Sequence, residues 1–146
     1  MNALNTNNSN VFSVDVEEFF HGKAFADRPQ RQWEDLPAYA VESTMHIADL
    51  LRRHQYKATF FVVGWFAQKH PDLIKKLHGA GHEIASHSFR HLHEPRTEAI
   101  MLEDIKAAKG TIEDILGSPV YGYGSPSWLS NNTRDWYFDV PSEAVL

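Results

Sequence analysis

The run Ala58-Thr-Phe-Phe-Val-Val63 constrains this chain more than any other feature. Six uncharged residues, mostly β-branched or aromatic, make a strand only where both faces are covered, the environment of a parallel sheet. Helical periodicities stand on either side of it. Before it, Val41, Met45, Ala48 and Leu51 recur at +4, +3, +3, and His54-Gln55 closes that helix. After it, Pro71 opens a second helix with Leu73, Ile74 and Leu77 inward and Gly79 and Gly81 at its end. Met101, Ile105, Ala108, Ile112 and Ile115 mark a third, with Thr97 as N-cap and Gly117 as stop. Residues 11–16, 82–86 and 120–123 read as further strands, 19–37 as a long loop, and a last short helix is expected from about Thr133. The order β, loop, α, β, α, β, α, β, α predicts an α/β fold with a parallel sheet, either doubly wound or part of a barrel. Both architectures place function at the carboxyl ends of the strands.

Composition narrows the function classes. A chain of 146 residues with a net charge of −5 lacks the basic balance of a nucleic-acid binder. The absence of cysteine excludes disulfides, thiolate metal sites and a cysteine nucleophile. No apolar run approaches the roughly 20 residues of a membrane span. Residues 1–10 are polar and Asn-rich without a secretory layout, so they read as a disordered tail and the expected location is cytoplasmic. One domain is expected over residues 11–146.

Chemistry-bearing residues gather at the strand ends. Asp15, Glu17 and Glu18 fall at the first, His87-Ser-Phe-Arg-His91 after the third, and Tyr123-Gly-Ser-Pro126 after the fourth. Two histidines four apart lie on one face of a helical turn, close enough to grip one cation. A carboxylate from the neighbouring strand end would complete a two-imidazole, one-carboxylate site with open positions for water, suited to zinc or another divalent transition metal. A second carboxylate would serve as base. Blander roles exist for each residue. Asp15 could cap a turn, Glu17 and Glu18 could form a solvated face, and histidines 21, 70, 78, 82 and 93 read as surface or supporting residues. Phe60-Phe61 and Trp65-Phe66 read as core, and Trp33, Trp128 and Trp136 as packing or sugar-stacking groups.

Four ordered segments resemble a known family: Ser13-Val-Asp-Val-Glu-Glu18, Ala58–Gly64, Gly81-His-Glu-Ile-Ala-Ser-His-Ser-Phe-Arg-His91 and Gly122-Tyr-Gly-Ser-Pro-Ser127. They are similar to the motifs of polysaccharide deacetylases, which share the NodB homology domain and form carbohydrate esterase family 4. The Asp-Val-Glu variant resembles the subgroup linked to exopolysaccharide loci of exosortase-containing bacteria. The resemblance runs from about Val11 to Val140. It implies a distorted (β/α) barrel that hydrolyses N-acetyl groups of an N-acetylated glycan with a divalent metal, zinc first and cobalt or another transition metal next. By position, Asp15 matches the general base and His87 and His91 the metal-binding imidazoles. Val16 stands where the family has its acidic ligand, so Glu17 is the expected third ligand and Glu18 the fallback. Tyr123, Pro126, Ser127 and Trp128 are the expected substrate-binding residues, with Ser127 at the place of an oxyanion-holding amide.

Two departures stand out. Gly124 occupies the position of the family's loop arginine, removing an ion-pair partner of the base. The sequence also stops before the motif that supplies the family's general acid, so an incomplete barrel of about the first half is expected, with an open edge through which copies could associate. The alternative function is a non-catalytic carbohydrate- or metal-binding remnant. A non-haem iron oxygenase using the same ligand set is a third reading, disfavoured by the helix-rich pattern.

Overall fold

The computed structural model describes residues 10–93, 97–127 and 135–145. Three strands, β1 (Ser13–Val16), β2 (Thr59–Val62) and β3 (Glu83–Ser86), pair in parallel in the order β1-β2-β3. Each strand is followed by its helix: α1 (Ala40–Arg53), α2 (Gly64–Lys69) with α3 (Pro71–Gly79), and α4 (Glu98–Leu116). Neighbours in sequence are neighbours in the sheet, with no reversal of order among the described residues. That is how a barrel begins, and it excludes a doubly wound switch point within this segment.

Strand parity sorts the two faces. Val16, Phe60, Val62 and Ile84 are buried beneath the helices, where they join Leu51, Phe66, Ile74, Leu77 and Ile112 in one core. Ser13, Asp15 and Glu83 alternate with them and are exposed on the opposite face. The expected helices stand where periodicity put them. Pro71 holds the first position of α3, Thr97 Oγ1 accepts from the Ile100 amide at 3.3 Å, and Gly117 ends α4 at φ 66°.

Four expectations change. Residues 19–37 are not a featureless loop: short 3₁₀ turns at Phe19–His21, Lys23–Phe25 and Gln30–Asp35 fold Trp33 inward against Phe20 and Trp65. Helix α2 was not expected, because six residues are too few to show a 3.6-residue period. The fourth strand shrinks to a single parallel bridge, Ser86 with Tyr123. Gly122 and Gly124 have no side chains to pack on a pleated surface and Pro126 cannot extend a ladder, so pairing stops there. Finally, Thr133 lies outside the described residues; the last helix is α5 (Asp139–Val145), preceded by a 3₁₀ turn at Asp135–Tyr137. Val140 and Ala144 of α5 pack on Met101 and Ile105 of α4. The expected tail falls outside the described residues except for Asn10, which is exposed.

Candidate metal centre

The sheet register aligns the site. Val16, Val62 and Ser86 share one row, so Glu17, Val63 and His87 form the next, just past the strand ends. The ladder continues into it through Val63 N to Val16 O at 3.2 Å and His87 N to Val62 O at 2.9 Å. Parity then sends Glu17 to the face that carries Asp15, away from the helices. Glu17, His87 and His91 each offer a ligand atom within 4.8 Å of the other two.

His87 and His91 meet by a different route from the one their spacing suggests. The turn between them is not helical: Ser88 and His91 adopt left-handed φ values of 66° and 53°. Such backbone is unfavourable for residues with side chains and persists only where surroundings impose it. Here the carbonyls of Ser88 and Phe89 accept from Gly64 N at 2.9 Å and Trp65 N at 3.1 Å, the first amides of α2. The amides of Phe89 and Arg90 donate to Asp104 of α4 at 2.7 and 3.2 Å, and the Ser88 hydroxyl donates to the same carboxylate.

The ring nitrogens have assignable roles. His87 Nδ1 donates to the Gly124 carbonyl at 2.9 Å, which leaves Nε2 for a ligand. His91 Nε2 stands 2.7 Å from Glu17 Oε2, yet that oxygen makes no hydrogen bond of acceptable geometry. A carboxylate oxygen and an imidazole nitrogen that converge this closely fit ligands aimed at a common cation. This orphaned, buried oxygen is the observation by which the residues present fit a divalent metal. Burial holds the His87 imidazole below its usual range, keeping it neutral and fit to ligate, although Asp15 opposes the shift. At Glu17 burial works to raise the pKa, but the imidazoles of His91, His87 and His21 outweigh it and the carboxyl stays ionised below its usual range.

The other expected residues fall out unevenly. Asp15 sits within β1, exposed and near enough to His87 to act on its charge. Glu18 is not a ligand: its buried carboxylate accepts from the amides of Tyr39 at 2.9 Å and Ala40 at 3.0 Å, where it caps the start of α1. The Tyr123 ring packs with the α4–α5 cluster, where burial raises its phenol pKa. Ser127 Oγ is engaged with His93 Nδ1 at 3.0 Å, and Pro126 is half-buried beside it. Trp128 lies outside the described residues. Gly124 is hemmed in on its own side, since an added Cβ would lie 2.8 Å from Phe61 Cδ1. An arginine there would require the Phe61 ring to turn.

Sequence reasoning missed Asp104, and for His21 and His93 it left open whether they lie at the surface or support the site. Asp104 was legible as an acid set into the apolar stripe between Met101 and Ala108, where a charge is costly unless it has partners. His93 ties three loops together: Nε2 donates to the His21 carbonyl at 2.8 Å, Nδ1 accepts from Ser127, and the ring stands edge-on to His91 at 4.7 Å. His21, read as a surface or supporting group, is buried between Trp33 and Trp65, its Nδ1 accepting the Glu18 amide at 3.0 Å. Burial, helped by His91, drops its pKa from 6.5 to about 4.

That shift has a stability consequence. The unfolded chain takes up this proton near pH 6.5 and the folded chain only near pH 4, so stability is present above 6.5 and is lost as pH falls toward 4. The difference is worth about 3 kcal/mol. Urea unfolding midpoints should therefore fall steeply between pH 7 and pH 4.5. His21→Gln should flatten that slope; an unchanged slope would mean His21 is not the buried neutral group described.

Residues 32–136 match the family model described as polysaccharide deacetylase. The chain belongs to the polysaccharide deacetylase family. The match includes His87 and His91 and begins after β1, so Asp15 and Glu17 rest on the geometry above. A peptidoglycan-N-acetylglucosamine deacetylase of Bacillus cereus is 36% identical over 78 residues, 53% of this chain and 37% of that protein. A CE4 family pseudoenzyme from Bacillus anthracis superposes with a TM-score of 0.68 over 91% of this chain and 39% of the other, at 19% identity, a likeness of fold alone. A family 4 carbohydrate esterase from Streptomyces lividans, solved in complex with acetate, gives a TM-score of 0.62 at 26% identity over 71% of this chain and 53% of that one. The fold is thus the NodB-type α/β arrangement with parallel strands, and the chain spans little more than a third of the curated relative's length.

Proposed function

We propose that this deacetylase-family chain binds one divalent transition metal, zinc first, through Glu17, His87 and His91, and uses it to remove N-acetyl groups from an N-acetylated polysaccharide. The observation that carries the reading is the convergence of those three ligand atoms on the face that also bears Asp15. A metal held there supplies Lewis acidity toward an acetamide carbonyl and toward water. The chain's own residues supply the rest. Asp15, two residues before Glu17 on the same strand face, is placed to take the proton of the attacking water. The Gly124 carbonyl fixes the His87 tautomer, and burial keeps His87 uncharged. The backbone at Gly124 borders the site, its carbonyl bonded to His87 and its amide to the Ser86 carbonyl. The resemblance of Asp15-Val-Glu17 to the exopolysaccharide-linked subgroup is what supports an exopolysaccharide as the glycan.

Gly124 favours a second reading, a carbohydrate- or metal-binding protein without turnover. One experiment separates the two. Acetate release from N-acetylglucosamine oligomers is measured with added zinc, with cobalt, and after chelation, alongside a zinc titration. Metal-dependent release that disappears with chelator is the expected result. Tight zinc binding with no release from any N-acetylated glycan supports the second reading, and no zinc binding overturns both.

A further inference from the structure

We propose that Asp104 is the positioning residue that sets the separation of the two metal-binding imidazoles, so that helix α4, remote in sequence from every ligand, controls metal affinity. The inference rests on the metal reading above. Asp104 is buried, and both of its oxygens are committed to the turn of residues 88–91 that brings His91 back beside His87. Oδ2 accepts from the Ser88 hydroxyl and the Phe89 amide, and Oδ1 from the Arg90 amide and, at 2.8 Å, from Arg90 Nε. Ser88 Oγ in turn accepts from the Leu92 amide at 3.3 Å, which extends the grip one residue past His91.

The energetic logic is specific to this turn. Two of its residues hold left-handed backbone, and without an imposed scaffold that conformation relaxes toward extended or helical φ. A relaxed turn carries the His91 ring away from its present place, 5.0 Å centroid to centroid from His87 and 2.7 Å from Glu17 Oε2. The first amides of α2 hold the turn's carbonyls, and among the described residues it is Asp104 that holds the Phe89 and Arg90 amides. Backbone N–H groups bound to a carboxylate form stronger bonds than those to a neutral acceptor, so charge as well as shape matters at this position. Arg90, 40% exposed at its side chain, balances that charge from the solvent side.

Asp104→Asn keeps the volume and removes the charge. Two readouts are taken on the full chain. In metal-free protein, the nuclear Overhauser contact between the His87 and His91 rings should be present in the native sequence and lost or weakened in the variant. In a zinc titration, affinity should fall about 10- to 100-fold, the range found when groups that orient metal ligands are removed, and the cobalt absorption spectrum should change in intensity with the altered ligand geometry. Far-UV circular dichroism should stay native. If Asp104→Asn does not fold, Ser88→Ala, which removes a single bond to the same carboxylate, should show a smaller loss in the same direction. An unchanged ring contact together with native zinc affinity overturns the proposal. Failure of the native chain to bind zinc overturns the metal reading instead, and the ring contact still decides what Asp104 does.

Discussion

Asp15→Asn is expected to slow acetate release from N-acetylglucosamine oligomers by about 10²- to 10⁴-fold, the usual worth of a positioned general base, while zinc still binds. Asp15 of β1 and Glu17 just past its end share a face, yet only Glu17 falls within the ligand cluster. Asp15 lies two residues back, exposed, and acts on His87 through charge. Asparagine has the same shape and cannot accept the proton, so turnover should fall without loss of the ion. Turnover number and zinc titration together check this. Should the variant lose zinc as severely as it loses rate, Asp15 is itself a ligand and the division of labour between the two acids is wrong.

Gly64→Ala is expected to cost about 3 kcal/mol of folding stability, the upper part of the range for forcing atoms into a packed core. A Cβ at this position would lie 2.5 Å from Phe89 Cδ2 and 2.9 Å from Ala108 Cα, and the second contact is backbone that cannot swing aside. The damage should not stay local. Gly64 N holds the Ser88 carbonyl, and Phe89 stands in the middle of the imidazole-bearing turn, so the variant should also bind zinc more weakly. Gly110→Ala is the control. It lies mid-way along α4 with nothing within 4 Å of the added methyl, and helix propensity predicts a gain of about 0.5–1 kcal/mol. Urea denaturation of both variants tests the pair; similar effects would mean that the close approach of α2 to α4 is not what Gly64 provides.

Much of this arrangement was legible in the residues. The run at 58–63 implied a covered parallel strand and the apolar stripes of α1, α3 and α4 implied its flanking helices, because those signals are periodic and long enough to read. What escaped was non-periodic. Helix α2 has six residues, and the segment at 120–124 is built by two backbone hydrogen bonds rather than by side-chain pattern. At the site, types and positions singled out Glu17, His87 and His91 as candidates and the structure brings them together, but the helical turn inferred from their spacing was wrong. That turn owes its shape to Asp104 and to the first amides of α2, long-range partners that no local window contains. Glu18 failed as a fallback for a similar reason: its fate was decided by the start of α1, 21 residues on.

The sheet register gives the candidate metal centre a built-in proofreading property. Alternation along β1 places Val14 and Val16 on one side and Asp15 and Glu17 on the other, so a slip by a single position would exchange them. Such a misthreaded molecule would bury two acids under the helices and present two valines to the histidines. It would lose its hydrophobic seal and break up the cluster of Glu17, His87 and His91 in one stroke. If that cluster holds a metal as proposed, metal occupancy in a purified sample counts the molecules whose first strand has docked correctly, independently of any assay for catalysis.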